Sequence, residues 1–161
     1  PLEHIQVVLH PQSLVHSLVE YDDGSVLAQL GNPDMRVPIS HALGWPERIA
    51  SGADSLDLLT VGSMQFEAPD STHYPCLELA ASAWQAGGTG PAILNAANEV
   101  AVQAFLDRQI PFTSIHRVIC RALEQCSVQP ATSLETILED DALARGVAAE
   151  YIRSDREAVA Q

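Results

Sequence analysis

The hydrophobic pattern of this chain changes period near residue 75. Before that point apolar residues come in short extended runs. Ile5-Gln6-Val7-Val8-Leu9 is a strand-like stretch stopped by His10-Pro11, and Leu14 to Tyr21 alternates well enough for a second strand. Asp22-Asp23-Gly24-Ser25 supplies hairpin turn chemistry, with Val26 to Leu30 returning antiparallel. Ile39 to Leu43 predicts a short helix, ended at Gly44-Trp45-Pro46 because the proline cannot continue it. No period is sustained from Glu47 to Asp70, where Val61 to Phe66 reads as an extended arm inside a connector.

From Pro75 onward apolar positions recur every three or four residues. Pro75 and Pro91 stand where a first-turn proline is tolerated, and Gly87-Gly88-Thr89-Gly90 separates the two helical segments. In the second of these, Ile93, Leu94, Ala97, Val100, Ala101, Ala104 and Phe105 form one stripe. Thr113 to Cys126 predicts a third helix with Ile115, Val118, Ile119, Ala122 and Leu123 inward. Thr132-Ser133-Leu134-Glu135 has the spacing of a capping box, and Asp140 or Asp141 is expected to cap a last helix from Ala142 to about Arg156. The fold class is α+β: a small antiparallel sheet, an extended linker and a helical bundle.

Composition narrows the chemistry. With 161 residues and 47% hydrophobic content, the chain can bury a core. No apolar run approaches the roughly 18 residues of a membrane span, and Pro1-Leu2-Glu3-His4 lacks the features of a signal peptide, so a cytoplasmic location is expected. The chain opens on Pro1 and runs almost at once into a strand-like segment, so a fragment of a longer protein is expected. Every cation is an arginine, which excludes a Schiff-base lysine or a P-loop lysine within these residues. A net charge of −13 leaves no basic footprint for nucleic acid or anionic lipid, so neither is an expected partner. Cys76, Cys120 and Cys126 are odd in number and lack Cys-x-x-Cys spacing, and they read as reduced, buried thiols.

Candidate chemistry concentrates between His10 and Pro38. His10 and His16, six residues apart, would share one face of an unbroken strand, but Pro11 interrupts it. They read either as hydrogen-bonded structural groups or as ligands, and a metal reading lacks a nearby third donor. Gln12, Ser13 and Ser17 beside them suit an oxygen-rich ligand. Gly31-Asn32-Pro33-Asp34-Met35-Arg36 reads as a turn in which Asp34 caps the following helix. Met35 at its tip is either a core methionine or a flexible thioether laid against an aromatic or nicotinamide ring. Asn95, Asn98 and Glu99 read as a buried polar network at a helix contact, and Glu139-Asp140-Asp141 as a cap and a solvated face.

Three motifs carry a resemblance: His10-Pro11-Gln12-Ser13-x-x-His16-Ser17, Asp23-Gly24-Ser25-x-x-Ala28-Gln29-x-Gly31-x-Pro33-Asp34-Met35-Arg36-x-Pro38-Ile39, and Leu94-Asn95-Ala96-Ala97-Asn98-Glu99. Together they resemble the C-terminal part of the 1-deoxy-D-xylulose 5-phosphate reductoisomerase family. That family's Gly-rich nicotinamide-binding domain, its Asp-x-Glu metal motif and its Asn-Lys phosphate-binding segment have no counterpart here.

The resemblance implies an oxidoreductase of isoprenoid biosynthesis. It would rearrange a ketose phosphate and reduce it to 2-C-methyl-D-erythritol 4-phosphate, using NADPH and magnesium or manganese. His16 would be the catalytic histidine and, with Ser13, would bind the sugar phosphate substrate. Pro33 and Met35 would line the cofactor's nicotinamide pocket, and no metal ligand would lie in this chain. Residues 1–44 would belong to a catalytic domain, 45–72 to the connector and 73–161 to a C-terminal helical domain built as a four-helix-type bundle. The whole enzyme would be a homodimer, and these residues alone would be inactive and bind no cofactor. The rival expectation is a stand-alone helical interaction module whose hairpin edge pairs with a partner.

Overall fold

Asp23 shapes the turn on which the sheet is built. Its carboxylate accepts from the Ser25 backbone N–H at 2.9 Å and from the Ser25 hydroxyl at 2.6 Å, while Gly24 takes φ +82°, a left-handed conformation that side chains resist. In this computed structural model, which describes residues 2–159, the turn joins β1 (Val15–Glu20) to β2 (Val26–Leu30) in a two-stranded antiparallel sheet. Val15 pairs with Leu30 but Ser17 pairs with Gln29, so His16 is an extra residue and β1 bulges there.

The expected strand over Ile5 to Leu9 does not form. Only Leu9 pairs, exchanging two backbone hydrogen bonds with Glu67 at 2.8 and 3.0 Å, and Leu2–His4 is a 3-10 turn. A β-branched run becomes a strand only where a ladder partner exists, and residues 5–8 have none among those described.

Helix α1 (Arg36–Gly44) begins three residues earlier than the apolar pattern indicates. Asp34 accepts the Arg36 backbone N–H at 2.9 Å, and Pro38 falls in the first turn, where its missing N–H costs nothing. The segment after it holds one short helix, α2 (Leu58–Val61), begun by Asp57, which accepts from the Leu59 N–H and the Thr60 hydroxyl. Side chains and backbone tie this segment to what precedes it: Asn32 donates to the Asp54 carbonyl at 2.9 Å, and Gln12 bonds Gln65. The chain divides into two units, Glu3–Pro69 and Asp70 onward, and no described residue of the first is buried.

The second unit is helical: α3 (Pro75–Ala86), α4 (Gly90–Leu106), α5 (Ile115–Gln125) and α6 (Leu134–Val159). Helix α4 packs against the other three. Ile93, Ala96, Ala97, Ala101 and Ala104 on α4 meet Val118, Ile119 and Ala122 on α5 and Ala144, Ala148 and Ile152 on α6. The many alanines let the backbones approach closely, while the isoleucines and valines fill the space between them. Leu94, Val100 and Phe105, read from the sequence as part of the stripe, lie at its partly buried margin, and Ala96 is a core residue outside it. Gly88 explains the glycine run before α4: it sits at φ +49°, and a Cβ there would lie 2.1 Å from the Gln129 carbonyl oxygen. Thr89, 1% exposed, locks the same contact by donating its N–H to that carbonyl and accepting the Gln129 N–H, both at 2.9 Å.

Three expectations are corrected here. A separate last helix capped at Asp140 or Asp141 does not exist, because α6 runs unbroken from Leu134. Asp141 is held within the helix by Arg145 one turn on, at 2.7 Å, and Asp140 is only 8% exposed rather than solvated. The capping residue at Leu134 is Ser133, whose hydroxyl accepts the Thr136 N–H at 3.2 Å; with Thr136 at that position the reciprocal glutamate of a capping box is absent. The cysteines are free, but only Cys126 is buried; Cys120 is half-buried and Cys76 exposed.

Candidate functional site

The bulge in β1 re-aims His16, as bulges beside binding sites commonly do. Its Nε2 lies 3.1 Å from the Gly31 carbonyl oxygen, which can only accept. The proton therefore sits on Nε2, and Nδ1 of the neutral ring is left as an acceptor. Gly31 opens the turn that follows, so one hydrogen bond fixes the histidine to the loop that builds the rest of the site.

That loop is held from several sides. The Asp34 N–H donates to the Asn32 carbonyl at 2.7 Å, and the Asn32 amide is anchored on Asp54. Asp34 takes the Arg36 guanidinium on both oxygens, at 2.6 to 3.0 Å, and those bonds hold its carboxyl below the usual aspartate range. Pro33 stiffens the turn further. Met35, at the start of α1, then projects with 71% of its surface exposed and joins no core among the described residues.

Together these elements line a cavity of about 620 Å³. His16, Pro33 and Met35 all face it, so three of the four residues singled out from the sequence converge. Val37 and His41, one turn apart on α1, and Arg48 beyond it also line the cavity. These were not read from the sequence as site residues. The signal for His41 was its i, i+4 spacing from Val37, hidden because the helix start was placed at Ile39.

Ser13 does not line this cavity. It is exposed, takes φ +51°, and donates its N–H to His10 in the turn ahead of β1. His10 is tied elsewhere, with Nδ1 donating to the Gln65 carbonyl at 2.8 Å and its ring stacked on Phe66 at 4.8 Å between centroids. Both histidines border a second, open hollow along β1 with Val8 and Phe66, but only His16 reaches the first cavity. Among the described residues no three His, Cys, Asp or Glu side chains gather in a way that could hold a metal ion.

In the helical unit, Asn95 donates to Glu99 at 3.2 Å and Arg145 joins Glu99 at 2.6 Å, linking α4 to α6. The expected network is present only in part: Asn95 and Glu99 meet at a helix contact but are exposed rather than buried, and Asn98 makes no bond to either. A titratable partner, Arg145, does accompany it and holds the Glu99 carboxyl below its ordinary range.

Comparison with known proteins gives concordant matches. Residues 30–147 match the family model of the DXP reductoisomerase C-terminal domain. A 1-deoxy-D-xylulose 5-phosphate reductoisomerase of Ralstonia pickettii is 59% identical over 152 residues, covering 94% of this chain and 38% of that protein. The enzyme of the same description from Stutzerimonas stutzeri is 57% identical over 148 residues, covering 92% of this chain and 37% of that protein. Among solved structures, the reductoisomerase from Zymomonas mobilis in complex with NADPH superimposes with a TM-score of 0.85 at 47% identity, over 94% of this chain and 40% of that one. A DOX-P reductoisomerase in complex with NADPH, fosmidomycin and magnesium gives 0.84 at 46% identity, over 92% and 38%. The chain thus spans less than half the length of the relatives it matches, and by sequence and fold alike it belongs to the 1-deoxy-D-xylulose 5-phosphate reductoisomerase family.

Proposed function

We propose that these residues serve, within a longer enzyme, the NADPH-dependent rearrangement and reduction of 1-deoxy-D-xylulose 5-phosphate to 2-C-methyl-D-erythritol 4-phosphate. The observation that carries this reading is the convergence of His16, Pro33 and Met35 on one cavity. Pro33 and the exposed Met35 offer an apolar, polarizable surface against which a nicotinamide ring can lie. His16, fixed through Nε2, presents Nδ1 as an acceptor for a substrate hydroxyl and so orients the substrate and can take its proton. Ser13 lies outside this cavity and is given no part in it.

NADPH supplies a hydride when bound. The residues present do not fit a divalent ion, magnesium or manganese, so its ligands are assigned to the remainder of the enzyme and no step is routed through it. The finer organisation follows the same reading: 1–44 as catalytic-domain residues, 45–72 as connector, and 73–161 as a four-helix-type bundle that contributes no ligand, in a cytoplasmic homodimer. A stand-alone interaction module is the weaker alternative, because a unit without a buried residue has no core of its own to hold the hairpin and the Gly31 to Arg36 turn.

Two assays test the proposal. The enzyme carrying these residues together with the portion its relatives have ahead of them is expected to consume NADPH with the sugar phosphate, whereas residues 1–161 alone are expected to give neither turnover nor a saturable quench of NADPH fluorescence. An inactive longer enzyme, or tight NADPH binding by the short chain, overturns it.

A further inference from the structure

The turn over residues 31–36 belongs to a unit with no buried residue among those described, so close packing does not fix it and directional bonds must. At its start the Gly31 N–H donates to the Leu14 carbonyl at 3.0 Å, and the Gly31 carbonyl oxygen accepts from His16. The bonds that Asp34 makes with Arg36 and with the Asn32 carbonyl are local. Among the described residues, one side chain of 32–36 bonds to a distant part of the chain: Asn32, whose Nδ2 donates to the Asp54 carbonyl at 2.9 Å across 22 positions.

Asn32 stands where a small rotation matters. It shares a planar peptide unit with Gly31, so turning Asn32 turns the carbonyl from which the His16 ring hangs. Its own carbonyl takes the Asp34 N–H at 2.7 Å, and the proline that follows disfavours a helical backbone at Asn32. The receiving segment is shaped to lie there. The Ser51 hydroxyl accepts the Ala53 N–H at 3.2 Å, Gly52 takes φ +73°, and a Cβ at Gly52 would stand 3.8 Å from Arg36 Nη1. Residues 51–54 thus meet the turn at Asn32 and again beside Arg36.

We propose that Asn32 is a positioning residue for His16: its amide, held by the 51–54 loop, sets the Gly31 carbonyl that keeps the imidazole proton on Nε2 and leaves Nδ1 to the substrate. The proposal rests on the function given above to His16, and it brings a loop otherwise read as connector into the construction of the site. Asparagine suits the task because it offers a donor to a carbonyl. An aspartate of the same shape offers only acceptors and is repelled.

The test uses the longer enzyme carrying Asn32→Leu or Asn32→Asp, both close to asparagine in size. Leucine removes the donor and aspartate opposes the carbonyl. The kcat/KM for the sugar phosphate is therefore expected to fall roughly tenfold in Asn32→Leu, the scale of one hydrogen bond, and further in Asn32→Asp. In a His16→Gln background the same substitutions are expected to change kcat/KM by less than about twofold, because the group they position is gone, whereas a general loss of integrity would multiply with it. The nitrogen-15 resonances of the His16 ring report which nitrogen holds the proton. They are expected to show Nε2 protonated in the unsubstituted enzyme and a mixture of both tautomers in Asn32→Asp. Equal kcat/KM in all three enzymes, an effect that persists undiminished in His16→Gln, or an unchanged ring spectrum in Asn32→Asp overturns the inference. Absence of turnover in the unsubstituted enzyme instead defeats the underlying functional reading, and the ring spectrum still decides where Asn32 leaves the proton.

Discussion

At the scale of single residues, the site depends on where protons and lone pairs are left free. His16→Gln in the longer enzyme is expected to cut turnover by roughly two orders of magnitude, measured as NADPH consumption at saturating substrate, because the amide cannot act as a base. The carboxyls of half-buried Asp34 and of exposed Asp57 and Asp70 all sit below the ordinary 3.8, held first by the Arg36 side chain, the Thr60 hydroxyl and the His73 backbone N–H respectively. A depressed carboxyl binds fewer protons folded than unfolded, so its contribution is present above pH 3.8 and lost as pH falls through the folded value. An acid titration followed by NMR is expected to loosen the start of α1 and of α2 below about pH 3.8, with Asp34→Asn removing that step at α1. Asp34 was legible as a cap because Asn-Pro-Asp is turn chemistry. The places of His41 and Arg48 in the cavity wall were not legible, because they depend on where α1 starts and how the chain turns after it.

Among elements, caps and close approaches decide more than propensity. Ser133→Ala is expected to cost about 1 kcal/mol, read from chemical denaturation of the helical unit's signal, since Thr136 loses its acceptor. Gly88→Ala is expected to cost more than about 1 kcal/mol in the same measurement, because the new methyl meets backbone and the dihedral is unfavourable. The hairpin, the two first-turn prolines and the α5 stripe were readable because each is a local signal. Helix α6 was misread at its middle because an Asp pair resembles a cap when neighbours are unseen. In the folded chain Arg145 answers Asp141, leaving no reason to break. The Ile5 to Leu9 run failed for the converse reason: local propensity was present and the pairing strand was not.

Across the whole molecule, the two units differ in kind. Every buried residue described belongs to the helical unit, while Val19 and Leu27 on one face of the hairpin and Leu18 and Val26 on the other remain exposed. Hydrogen exchange on the 161-residue chain is expected to show slow amides in α4 and α5 and fast ones throughout β1 and β2, and equal protection in both units would contradict this. The change of hydrophobic period announced the difference in architecture, but periodicity describes a face and is silent on whether anything covers it. A practical corollary concerns mutational screening. A library scored only by soluble expression of this chain would rank changes at His16 or Met35 as harmless and those at Ala97 or Ala101 as lethal, and would thereby pass over the positions on which the proposed function depends.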